Sequence, residues 1–108
     1  MVNLRIQLIT FAGCPNAAAA RAAIECALAE SGLSARIEEI DTSAPDAPAS
    51  LGEWGSPTVL VNGVDVGGET GPPGPSCRLY RDETGVTRGA PSNELLTSAL
   101  KRVIDRQE

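Results

Sequence analysis

The chain predicts an α/β fold, a four-stranded mixed sheet flanked by helices, in one domain spanning residues 1–108. Three observations carry that expectation. An alternating apolar segment at 3–10 runs into an alanine-rich helical stretch, and a second strand-like segment follows at 35–41. Asn62-Gly63 stands between two β-branched runs, the pattern of a two-residue hairpin turn in which both positions take positive φ. Ser92-Asn93-Glu94 then opens a last amphipathic segment reaching about Asp105.

Taken in order, the first strand sets Leu4, Ile6 and Leu8 on one face and Val2 and Ile9 on the other, as in a strand covered on both sides. The helix is expected over 15–31, because alanine costs least in a helix, and Gly32 suits a left-handed cap. Residues 35–41 form the second strand, with Ile37 and Ile40 as its apolar members. Strand–helix–strand at this spacing implies a parallel pair with a right-handed crossover. A loop with one short helix near 46–52 follows, then the Thr58–Val61 and Val64–Val66 hairpin. The Pro/Gly-rich tract 69–76 excludes helix and sheet interior. Cys77–Arg81 and Val86–Arg88 flank Asp82-Glu83-Thr84-Gly85 as a small second hairpin. Leu95, Leu96, Leu100, Val103 and Ile104 supply the buried face of the final helix.

Composition removes several function classes. Histidine is absent, which excludes Cys–His and Ser–His pairs and imidazole metal ligands. The net charge of −5, with no basic cluster, argues against nucleic acid as a partner. Asp41, Asp46, Glu53 and Asp65 read as solvated surface charges, so no hydrolase carboxylate site is expected. No glycine-rich phosphate loop opens a helix. The N-terminal segment has no basic n-region and no spanning stretch, so no membrane is expected. Three cysteines do not suit a disulfide framework, and a reducing cytoplasm with free thiols is the expected setting.

Cys14 concentrates the chemistry. It ends the loop after the first strand and is followed by Pro15, a residue favoured at the first helical position. A sulfur beside the free N–H groups of a helix start is favoured as thiolate, the form that acts as nucleophile and soft-metal ligand. The competing reading is a cysteine that merely packs beside a turn.

The order β-α-β-(α)-β-β-α, the cysteine after the first strand, Ser56-Pro57-Thr58 opening the third strand and Val-Asn-Gly-Val-Asp-Val-Gly-Gly together resemble the thioredoxin-like superfamily. The texture is similar to that of glutaredoxins and small bacterial thioredoxin-like proteins. The resemblance covers the chain apart from an insertion at roughly 69–91. It implies a thioredoxin-like fold, a cis Pro57 set against Cys14, and a Ser56 backbone presented to an extended thiol substrate. The substrate-facing residues would then be Pro15, Asn16, Trp54, Ser56 and Pro57, although Trp54 also suits the edge of the core. Two departures stand out. Ala17 occupies the position of the family's second cysteine, and the insertion interrupts the region that holds glutathione, which puts glutathione binding in doubt.

The remaining cysteines differ in what they can do for Cys14. Cys26 lies about 18 Å along the same helix, well beyond disulfide reach, and reads as a small apolar core residue. Cys77 follows Gly68 by a stretch reaching up to about 30 Å when extended, and the hairpin returns the chain to the Cys14 end of the sheet. It is thus a candidate resolving cysteine for a mixed disulfide or sulfenic acid on Cys14, or else a packing cysteine in a loop. The function expected is thiol–disulfide exchange through Cys14 with a protein or small-molecule thiol, needing no cofactor. One alternative is a two-sulfur site, Cys14 with Cys77, for a soft metal or organomercurial, although no aspartate is placed between paired cysteines to cleave a carbon–mercury bond. Another is a non-catalytic interaction module, for which Ala17 is the best argument.

Overall fold

The computed structural model describes residues 4–47, 51, 54–68, 74 and 78–107. Strand β1 (Ile6–Thr10) pairs in parallel with β2 (Ile37–Asp41) and antiparallel with β3 (Thr58–Val61). The hairpin partner of β3 is β4 (Val64–Asp65), giving a four-stranded mixed sheet of order β2-β1-β3-β4. A separate two-stranded sheet joins β5 (Tyr80–Arg81) to β6 (Thr87–Arg88). Helix α1 (Ala17–Glu30) crosses from β1 to β2, and α2 (Asn93–Gln107) closes the order of elements.

Register decides which residues meet. Ile6 lies opposite Val61 and Leu8 opposite Val59, so these four share a face of the sheet. Ala20, Ile24, Ala27 and Leu28 of α1, with Leu96, Ala99 and Leu100 of α2, complete one buried cluster on that face. The helices pack on each other as well. Both therefore cover the same side of the sheet. The opposite face is also buried, through Ile9, Thr58 and Leu60, as expected for a strand covered on both sides.

Local chemistry accounts for the ends of the elements. Asn62 and Gly63 take φ of 50° and 84°, the positive values a tight β3–β4 turn requires. Helix α1 stops where the Leu33 N–H donates to the Leu28 carbonyl and the Gly32 N–H to Ala29, with Gly32 at φ 66°. That is the paired-bond cap expected of a left-handed glycine, and Leu33 packs back on the core. Ser92 caps α2, its Oγ accepting the Leu95 N–H at 3.1 Å. On the β2 edge, Glu38 pairs with Arg5 and Glu39 with Arg21.

Two expectations need correction or restriction. Cys26 is not a core residue: it is exposed on α1, its Sγ 3.8 Å from Glu30 Oε1, because its position falls on the solvent side between Ile24 and Ala27. The short helix expected near 46–52 lies largely outside the described residues, and 44–47 form a turn in which the Ala47 N–H donates to the Ala44 carbonyl.

Candidate functional site

Antiparallel pairing of Ile9 with Thr58 brings the end of β1 and the start of β3 to one end of the sheet. The loop leaving β1 is tied to its neighbours by backbone groups. The Phe11 N–H donates to Ser56 Oγ at 3.4 Å and the Ala12 N–H to Ser43 Oγ at 2.8 Å. The Thr10 carbonyl accepts both the N–H and the hydroxyl of Thr42. The Cys14 N–H then donates to the Phe11 carbonyl at 3.2 Å, closing a turn around Gly13 at φ 79°. Within this frame Cys14 is a half-buried free thiol, and its neighbours Ala12, Gly13 and Pro15 are exposed.

The helix begins later than expected. Asn16 is the N-cap and Ala17 the first helical residue, so Pro15 lies in the preceding turn rather than at the first helical position. Cys14 accordingly stands two residues ahead of the cap. The Ala20 N–H donates to the Asn16 carbonyl, but the Asn16 side chain makes no capping bond. Its amide packs on Gly89 instead, where an added Cβ would fall 2.7 Å from Asn16 Cγ. The first turn carries no acidic residue, so α1's own side chains do not neutralise the positive end of its dipole.

The Ser56–Pro57 peptide is cis and opens β3. Both residues are buried, and Ser56 is 0% exposed. Trp54 is half-buried, and its carbonyl accepts the Thr58 hydroxyl at 2.9 Å. The resemblance implied an accessible Ser56 backbone. Here the Arg78 N–H donates to the Ser56 carbonyl at 2.9 Å, and the Tyr80 hydroxyl donates to the Pro57 carbonyl at 2.6 Å.

Arg78 is held there by a network that sequence reasoning missed. Its guanidinium reaches Asp65 through two bonds, Nη2 to Oδ2 at 2.9 Å and Nη1 to Oδ1 at 3.2 Å. Nη1 also donates to Thr58 Oγ1 at 2.9 Å, and the group lies 4.9 Å from the Tyr80 ring centroid. Asp65 was expected on the surface but is 2% exposed, and Arg78 is 7% exposed. The register explains the correction: Asp65 lies opposite Leu60 and so shares the covered face with Thr58. Burial pushes the Tyr80 phenol well above its ordinary range, with the Asp65 charge adding to the shift and Arg78 opposing it. The available signals were weak: alternation of Arg78 and Tyr80 about an exposed Leu79, and a glycine at 67 with no room for a side chain.

Cys14, Pro15, Asn16, Trp54, Ser56 and Pro57 thus belong to one end of the fold. Cys77 and Glu53 lie outside the described residues, and the proposed Cys14–Cys77 pairing lies there with them. Among the described residues, no group of three or more cysteine, aspartate or glutamate side chains is placed to hold a metal ion. No described helix is long and apolar enough to cross a membrane. No protein-family model, curated protein or solved structure matches the chain.

Proposed function

We propose that the chain is a thioredoxin-like thiol–disulfide exchange protein of a reducing compartment, acting through Cys14. One observation carries the reading. A half-buried free thiol sits in a turn just ahead of α1, and that turn is bonded through Phe11 to Ser56, the residue that begins the cis peptide. Exchange asks little else of a protein: a sulfur that can act as nucleophile and a fixed approach for the incoming sulfur. A chain without histidine can meet that requirement. Ala17, the first residue of α1, leaves no second sulfur at the helix start, so Cys77 is proposed as the resolving thiol.

Three measurements test the reading. Cys14 should react with iodoacetamide at neutral pH several-fold faster than the exposed Cys26, because an exchanging sulfur has to act as the nucleophile. Mild oxidation followed by peptide mapping should recover a Cys14–Cys77 disulfide, and Cys14→Ser should abolish disulfide reductase activity. Equal alkylation rates, with activity surviving in Cys14→Ser, would remove Cys14 from this role. Equal rates without activity in either protein would favour an interaction module.

A further inference from the structure

We infer that Arg78–Tyr80 is a built-in occupant of the Ser56–Pro57 backbone at the Cys14 end of the sheet, restricting exchange to compact disulfides and excluding extended polypeptides. The inference rests on the redox reading above and names the substrate class of that same site. An extended peptide docks on a protein by exchanging main-chain hydrogen bonds with an open stretch of backbone. The resemblance implies that this stretch is Ser56–Pro57, and here the Ser56 carbonyl accepts the Arg78 N–H and the Pro57 carbonyl the Tyr80 hydroxyl. The occupying segment has the alternation of a strand: Arg78 and Tyr80 point inward, while Leu79 is 69% exposed.

Magnitudes decide whether a substrate could displace it. Lifting Arg78 would leave Asp65 buried without its guanidinium, a disruption that for buried pairs corresponds to about a hundredfold or more in equilibrium. One docking hydrogen bond returns roughly fivefold. The internal segment therefore wins against a peptide. Cys14 is half-buried beside the exposed Ala12, Gly13 and Pro15, the side from which a small disulfide would reach it. In that step the Cys14 thiolate attacks one sulfur of R–S–S–R. The S–S bond breaks as a Cys14–S–S–R bond forms, and the departing thiolate takes its proton from water. The incoming disulfide is the oxidant, so no further reagent is required.

The test compares two probes on the full chain: bis(2-hydroxyethyl) disulfide, and an unstructured octapeptide whose central cysteine carries a 2-mercaptoethanol disulfide. Loss of the free Cys14 thiol is read by acid quench, alkylation and mapping, and each rate is divided by that of N-acetylcysteine with the same probe. The expected peptide-to-small ratio is about one or less, and a ratio above about five overturns the inference. Arg78→Pro deletes both the N–H and the guanidinium. If that variant keeps its circular dichroism, its ratio should rise about fivefold or more, and an unchanged ratio overturns the inference. Amide exchange provides a reading independent of any variant. The Arg78 amide should exchange only with global unfolding, and exchange at the rate of exposed loops would show that the segment opens freely, against the inference. If Cys14 reacts with neither probe faster than N-acetylcysteine does, the redox reading itself fails and the restriction falls with it. The Arg78 amide would still report separately on the occupied backbone.

Discussion

Replacing Asp65 by alanine withdraws the carboxylate from a guanidinium that is itself almost wholly enclosed. The two bonds lost, at 2.9 and 3.2 Å, are charge-assisted, each in a class contributing about 1.5–3 kcal/mol. Loss of one partner from a buried ion pair typically costs about 3–5 kcal/mol, in agreement with that sum. Against a domain stability of roughly 5–15 kcal/mol, the change is large enough to read directly. Urea denaturation followed by fluorescence of Trp54, the single tryptophan, is the natural assay. With a slope of about 2 kcal/mol per molar urea, the midpoint should fall by about 2 M. The double variant Asp65→Ala/Arg78→Met removes both charges of the pair and should recover part of the loss, because deleting one partner of a buried pair costs more than replacing both by apolar groups. The reasoning is refuted if Asp65→Ala unfolds within about 1 kcal/mol of the parent, or if the double variant is the less stable of the two.

Three further outcomes are expected. Tyr80 is the only tyrosine, and its folded-state pKa is raised, so the stability it contributes is complete below the unfolded value near 10 and is lost as pH climbs from there toward the folded value. Ultraviolet titration should show the native phenol resisting ionisation at pH 10, and Tyr80→Phe should flatten the alkaline loss of stability; a native titration centred near 10 would contradict this. Gly67→Ala sets a methyl group 2.8 Å from Arg78 Nη2 and 3.1 Å from both Asp65 Oδ2 and Tyr80 Cε1, at an expected cost of about 1–3 kcal/mol, and an unchanged thermal midpoint would show that the network yields easily. Asp82 accepts bonds from the Thr84 N–H and hydroxyl, the Val86 N–H and Arg88 Nε, and the Thr84 hydroxyl followed by Arg88 holds its carboxyl well below the usual carboxylate range. Asp82→Ala should raise amide exchange in the β5–β6 hairpin about tenfold with no change in the global transition, and in the parent the hairpin should loosen as pH falls below about 3.9.

What could be read in advance follows from how local each determinant is. The β3–β4 turn was legible because Asn62 and Gly63 are residues that tolerate positive φ, a property of the pair itself. The parallel β1–β2 pair and the buried faces of β1 and β3 were legible from apolar spacing and connection length. The start of α1 was displaced because Pro15 is compatible with a turn as well as with a first helical residue, and Asn16 packs on the distant Gly89 instead of capping. Asp65 was misplaced for a stronger reason. An acid in a short hairpin strand carries no local mark of burial, and its partner Arg78 lies 13 residues further along the chain. At the candidate site, Cys14 was singled out from its neighbours in sequence and Ser56–Pro57 through the resemblance, whereas the hydrogen bond to the Ser56 carbonyl comes from Arg78, far along the chain.

The outer strand of the sheet has a consequence of its own. Among the described residues β2 has a neighbour on one side only, and an unpaired strand border is a template on which other chains can stack. Glu38 and Glu39 point to opposite faces of that border, each joined to an arginine, so a second border approaching from outside would meet fixed charge above and below its path. Neutralising the pair, as in Glu38→Val/Glu39→Val, should turn this strand into a nucleus for ordered self-association. The colloidal behaviour of the protein should thus respond to two side chains that add little to its folding energy.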